Sequence, residues 1–108
     1  PGAKFVMRGS CDDTLVSSGC IISGTDIYRT VLGPRVRIER WARVDESILM
    51  NNVCIGSNAT VHRAILDKNV VVPDGAQVGV DHEHDRARGF TVSPTGVTVV
   101  GKGITVPY

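Results

Sequence analysis

A chain of 108 residues with a formal net charge of +1 has room for one domain, and its charge balance gives no strong pull toward nucleic acid or an anionic membrane surface. It contains no apolar run of the roughly 18 residues that a bilayer span requires. Aromatic residues make up only 5%, as expected where β-branched side chains fill a narrow core.

Residues 1–12, PGAKFVMRGSCD, mix Pro, Gly and polar side chains and read as a lead-in from a missing upstream domain. The first residue is Pro1 rather than Met, which predicts a fragment of a longer protein. Phe5 and Val6 are placed to cap an open strand edge behind them.

From Asp13 to Val80 the sequence repeats without a gap in four blocks of 17: 13–29, 30–46, 47–63 and 64–80. One column reads Leu15, Leu32, Leu49, Leu66. Six residues on stand Ile21, Ile38, Ile55 and Val72, and six further on Ile27, Val44, Val61 and Val78. Two residues before each runs a smaller column, such as Thr25, Ala42, Ala59 and Ala76. A spacing of two puts both members on one face of a strand and turns the residue between them outward. Each block is therefore three short strands joined by tight bends, one turn of a triangular prism with its aliphatics along the axis. Fixed-period self-similarity marks a solenoid, and the beats of three and four that a helix needs are missing. The alternative, a β-sandwich, has no reason to repeat at 17. The expected fold is all-β: a parallel β-helix of four coils over 13–80, followed by a polar loop and a closing hairpin over 81–108.

Cys20 and Cys54 fall in one column two blocks apart, which predicts outward-facing thiols roughly 9–10 Å apart, too far for a disulfide. With an odd count of three cysteines, reduced thiols in a cytosolic protein are the simplest account. The second block carries Arg29, Arg35, Arg37, Arg40 and Arg43 among Glu39, Asp45 and Glu46, either a solvated face or an anion or interdomain surface. Trp41 sits there at a bend, from which it cannot reach the axis. With Arg43 it reads as an interface residue, since aromatic and Arg side chains are enriched at interfaces. Asn52 stacks over Asn69, as in an amide ladder. His62 faces outward at the start of a bend, where it is either a surface residue or the general base of an acyltransferase.

Past residue 80 the beat ends. DHEHDRARGF (81–90) reads as a polar loop, and its consecutive His, Asp and Glu residues rarely converge on one ion, so no metal is expected. Thr91 and Val92 then face Val97 to Val100 across Ser93-Pro94-Thr95-Gly96, a sequence suited to a type I turn. Lys102 lies between Gly101 and Gly103, where backbone can approach an anion.

The columns follow the hexapeptide-repeat pattern of the left-handed parallel β-helix; the handedness comes from that resemblance. The run AILDKNVVVPDGAQVGVDHEHDRARGFTVSPTGVTVVGKG, with PGAKFV and SSGCIISGT before it, resembles the C-terminal domain of bacterial, actinobacterial-style glucose-1-phosphate adenylyltransferases. The resemblance implies a parent enzyme that makes ADP-glucose and pyrophosphate from ATP and glucose 1-phosphate, with Mg²⁺, in the cytoplasm. ATP and Mg²⁺ belong to an absent N-terminal catalytic domain, so no catalytic residue and no cofactor is expected here. It implies that the β-helix packs on that domain, helps build a homotetramer, and shares a cleft for AMP or phosphorylated metabolites. Lys68, in ILDKN, and Lys102, in TVVGKG, match that cleft's basic positions, with Arg86 and Arg88 as weaker neighbours. The alternatives are a hexapeptide acyltransferase using His62, for which the gap-free blocks leave no extruded loop, and the β-helix of another sugar-phosphate nucleotidyltransferase.

Overall fold

The structure, a computed structural model, describes residues 4–5, 10–12, 14–24 and 26–107, with the backbone alone at 4, 5, 10–12, 15 and 16. Two strands lead in, β1 (Lys4–Phe5) and β2 (Ser10–Asp12). The next four coils each supply three: β3 (Leu15–Val16), β4 (Ile21–Ile22) and β5 (Asp26–Tyr28); β6 (Val31–Leu32), β7 (Arg37–Ile38) and β8 (Arg43–Asp45); β9 (Ile48–Leu49), β10 (Cys54–Ile55) and β11 (Thr60–His62); β12 (Ala64–Leu66), β13 (Val71–Val72) and β14 (Gln77–Val78). A helix, α1 (His82–Ala87), and the strands β15 (Thr91–Val92) and β16 (Thr98–Val100) complete the described elements. Every third strand pairs in parallel, giving the first sheet β1-β4-β7-β10-β13, the second β2-β5-β8-β11-β14 and the third β3-β6-β9-β12-β16-β15. The three sheets are the sides of a β-solenoid, consistent with the left-handed hexapeptide class.

From the second coil on, the axis is the one read from the columns. Leu32, Leu49 and Leu66, then Ile38, Ile55 and Val72, then Val44, Val61 and Val78 are buried, as are the smaller Val36, Val53 and Val70 and Ala42, Ala59 and Ala76. Thr30 and Ser47 are buried hydroxyls on the same axis. Each donates to the carbonyl two residues back, Tyr28 at 2.8 Å and Asp45 at 2.8 Å, so the interior holds no idle donor at these points. The corners are made by residues in the left-handed region, including Arg35, Asn52 and Asn69 (φ 60°, 61° and 62°) and Trp41 and Asn58 (69° and 61°). Asn tolerates this conformation better than other side chains. That explains the two asparagines more directly than the expected amide ladder: Asn52 Oδ1 instead accepts from Arg35 Nε at 2.9 Å.

The first coil departs from the gap-free register. Ile22, not Ile21, pairs with Ile38, and Val16, not Leu15, pairs with Leu32. Ile22 is 3% exposed and Ile21 is half-buried. The path from Ile22 to Ile27 is one residue shorter than that from Ile38 to Val44, so the corner through Gly24 absorbs the slip. A one-residue slip exchanges faces along a strand. Cys20 accordingly turns inward, fully buried in line with Val36, and its thiol donates to Gly33 O at 3.2 Å. The expectation of an outward Cys20 is thus corrected, while Cys54 is half-buried on the outer face beside Arg37. The cap expected of Phe5 and Val6 lies outside the described side chains.

The beat does not end at Val80; it is interrupted and resumes. Ala64, Ile65 and Leu66 pair with Thr98, Val99 and Val100, an offset of 34, or two repeats. Val71 bridges Thr105, and Val106 is buried where Val72 predicts a successor. Residues 81–97 leave the solenoid for one repeat length and return in phase. The expected hairpin is part of this excursion: β15 runs antiparallel to β16, with Ser93 N donating to Val97 O at 2.8 Å and Gly96 N to Ser93 O at 2.9 Å.

The expected polar loop 81–90 instead contains α1. Asp81 caps it, accepting from Glu83 N at 3.1 Å and His84 N at 3.2 Å. Asp85 is fully buried beneath it and accepts from Gly79 N at 3.0 Å and Thr98 Oγ1 at 2.8 Å. Arg88, its side chain 5% exposed, pairs with Asp85, donates to Gln77 O and Pro107 O at 2.7 Å each, and lies over the Phe90 ring. These two charges fasten the excursion across the last strand of the second sheet, whose edge would otherwise stand open.

Candidate functional site

Lys68 and Lys102 lie on one corner, between the third and first sheets. The pairing of Leu66 with Val100, carried on two residues, sets Lys68 beside Lys102, and Gly103 N donates to Lys68 O at 2.9 Å. Their Cα positions are therefore ladder neighbours, about 4.8 Å apart. Both residues are exposed, and among the described residues no hydrogen bond or ion pair engages either ammonium group. The corner is open beside Lys102: a side chain on Gly103 would meet nothing within 4 Å. Two like charges stacked on an open corner repel each other, and an anion between them relieves the repulsion.

The two neighbouring arginines behave differently. Arg86 lies on the exposed side of α1, donating to Glu83 Oε1 at 2.8 Å. Arg88 is turned inward, its guanidinium held by Asp85 and two carbonyls of the fold. Trp41 is 62% exposed at a corner of the second coil, and Arg43, also exposed, points out from the second sheet two residues on. A bulky ring held at positive φ in solvent carries a backbone cost without any burial to offset it within this chain.

His62 projects from the outer face of the second sheet, in register with Asp45 and Tyr28. Its Nδ1–H donates to Asp45 Oδ2 at 3.1 Å. Arg29 stands 3.7 Å from Asp45 Oδ1 and donates to Glu46 Oε1 at 3.1 Å, which completes a chain of four charged or titratable groups. Arg29, Asp45 and His62, with Tyr28, Arg43, Thr60 and Val80, line an open groove of about 730 Å³. That groove holds neither Lys68 nor Lys102, so the two sets of residues occupy different faces of the prism. The Asp45–His62 pairing is legible in the blocks, since the two residues stand 17 apart, but it lies among the outward positions, where no aliphatic column marks it. Asp85 was also missed; its signal was the Asp81 cap with acidic residues ahead of basic ones across 83–88.

No group of three His, Cys, Asp or Glu side chains converges to hold a metal among the described residues. No helix among the described residues is long and apolar enough to cross a membrane.

Over all 108 residues the chain is 94% identical to a glucose-1-phosphate adenylyltransferase of Cutibacterium acnes, of which it covers 26%. It is 55% identical over 111 residues to that of Frankia casuarinae, covering 98% of this chain and 27% of that protein. It is 44% identical over 105 residues to that of Geobacter metallireducens, covering 93% and 26%. The chain thus spans about a quarter of the length of the curated relatives it matches. With its three-sided parallel coil and a match over residues 1–100, it belongs to the family described as GlmU-like, C-terminal hexapeptide.

Proposed function

We propose that this chain is the C-terminal regulatory and oligomerisation part of a glucose-1-phosphate adenylyltransferase, acting in the cytoplasm in the synthesis of glycogen. The parent would join ATP and glucose 1-phosphate into ADP-glucose and pyrophosphate in its other part, with Mg²⁺, and assemble as a homotetramer. Relatives of that name match this chain from end to end and support the reading. The observation that carries regulation is the stacked pair Lys68–Lys102, whose ammonium groups suit the phosphate of AMP or a phosphorylated metabolite. The corner is open, so the remaining walls of such a site come from another part of the assembly.

The test is Lys68→Ala and Lys102→Ala in the full-length protein, with activity titrated against sugar phosphates and nucleotides. A charge-assisted contact contributes about 1.5–3 kcal/mol. Each substitution is expected to raise the half-saturating effector concentration about ten- to a hundredfold, while activity without effector stays near wild type. Because the two lysines share one anion, the double variant is expected to lose less than the product of the singles. Unchanged effector curves in both variants would remove the site.

Trp41 and Arg43 are read as part of the subunit interface. Sedimentation of the Trp41→Ala full-length protein is expected to show species smaller than the wild-type assembly. An unaltered distribution would return Trp41 to the free surface.

A further inference from the structure

The outer face of the second sheet carries two columns of side chains across its strands. Asp26, Arg43, Thr60 and Gln77 form one, and Tyr28, Asp45 and His62 the other. The second column stops at His62. Its next member is Gly79, where any side chain would run into the His62 carbonyl, so nothing stands over the imidazole from that side. Tyr28 walls the groove at one end and Val80, 51% exposed, at the other. Its volume of about 730 Å³ is that of a small-molecule site. The free polar groups in it are few. Asp45 only accepts, so the Nδ1 that meets it at 3.1 Å is the protonated nitrogen of the neutral ring, and Nε2 presents a lone pair. Among the described residues nothing engages Nε2, and no ion pair or side-chain hydrogen bond engages the Arg43 guanidinium, although Asp26 is its ladder neighbour. Thr60 links the two, beside Arg43 across the ladder and two residues before His62. Arg29, the other cation, is paired with Glu46 and lies 3.7 Å from Asp45. The groove thus offers one uncompensated positive charge, one hydroxyl and one proton acceptor.

We propose that this groove binds a small hydroxylated monocarboxylate. Its carboxylate lies on Arg43 and Thr60 Oγ1, its hydroxyl donates to His62 Nε2, and its carbon skeleton rests against Tyr28 and Val80. A planar guanidinium takes a carboxylate through two parallel hydrogen bonds. Strands about 4.8 Å apart, with about 3.3 Å per residue along them, set the Cα atoms of Arg43 and His62 about 8 Å apart. One short ligand with a hydrogen bond at each end covers that diagonal. The charge count selects a monoanion: a second negative charge would face Asp45 and Glu46, and Arg29 is already held by Glu46. That separates the groove from the Lys68–Lys102 corner, whose two uncompensated charges suit a phosphate, and the proposal stands independently of the reading given to that corner. Arg43 has five donors, enough to hold a carboxylate and still contact a neighbouring subunit.

The probes are lactate and glycerate, each as both enantiomers, with propionate as the carboxylate that lacks the hydroxyl. Diethyl pyrocarbonate modifies neutral imidazoles in the full-length protein, and mass spectrometry reads the rate at His62 with His82 and His84 as internal references. At about ten times its dissociation constant a hydroxy acid is expected to slow modification of His62 about tenfold, because only the free site reacts. His82 and His84 are expected to keep their rates. Propionate is expected to need about two- to tenfold more for the same protection, the worth of one neutral hydrogen bond. Arg43→Gln is expected to raise the protecting concentration about ten- to a hundredfold, whereas Lys68→Ala and Lys102→Ala leave it at the wild-type value. Should Arg43→Gln fail to assemble, Thr60→Val keeps the side-chain shape and tests the same carboxylate contact. No slowing at His62 with either hydroxy acid would overturn the proposal, as would equal protection by propionate or wild-type protection in the assembled variant. Protection that vanishes in Lys68→Ala and Lys102→Ala would place the acid on that corner and overturn it as well.

Discussion

Replacing Asp85 by Ala is expected to destabilise the C-terminal end of the solenoid by about 3–5 kcal/mol, the usual cost of breaking a buried ion pair from one side. Asp85 is fully buried, and the guanidinium it neutralises belongs to a side chain only 5% exposed. Without the carboxylate, Arg88 keeps its two carbonyl acceptors but loses its counter-charge, while Gly79 N and Thr98 Oγ1 lose their acceptor. Asp85→Asn retains the shape and one acceptor and is expected to fall between Ala and wild type. The measurement is hydrogen exchange during urea titration, read at the amides of β14 and β16. These strands should open well before β8 and β9 in the variant. Simultaneous opening of all coils at an unchanged midpoint would show that α1 does not fasten the end. Removing the fastening also bares the edge of β14, so concentration-dependent association is expected to accompany the loss.

Leu49→Ala is expected to cost about 2–5 kcal/mol, the range for emptying a packed aliphatic site. Leu49 is 1% exposed, with Leu32 and Leu66 stacked on either side along the axis. In a solenoid each coil touches only its neighbours, so the cavity weakens the link between the second and fourth coils rather than one local contact. The outward neighbour provides the contrast. Ile48 is 42% exposed, and an Ile48→Ala change in the isolated fold is expected within about 1 kcal/mol. Equal losses at 48 and 49 in chemical denaturation would contradict the inward and outward assignment of β9.

The sequence carried the axis well wherever aliphatics stood alone between polar residues, as Ile38 does between Arg37 and Glu39 and Val44 between Arg43 and Asp45. It failed at Ile21-Ile22, where two adjacent identical side chains satisfy either phase and only the shorter corner through Gly24 decides between them. Resumption of the coil was present in the letters: Thr98, Val100 and Val106 repeat the spacing of Ala64, Leu66 and Val72. It was hidden because Val97 to Val100 also suit a hairpin, and the structure uses β16 for both pairings at once. α1 has six residues and no apolar stripe, so its signal lay only in its cap and charge order. Lys68 and Lys102 were legible through resemblance, but their shared corner was not, because it depends on the offset of two whole repeats.

That offset separates two kinds of length change in this chain. The excursion begins and ends on strands whose partners are fixed by the ladder, so its own length is not part of the phase. Residues added at the Ser93–Gly96 tip pay closure entropy, about 0.6 kcal/mol for each doubling of a flexible loop, and leave the fifth coil where it is. One residue added between Thr98 and Lys102 acts differently. It either exchanges the inward and outward faces of β16 or carries Lys102 off the corner it shares with Lys68. Variation in length is therefore free to accumulate in the excursion, while the five residues that follow it keep a fixed count for as long as the two amines work together.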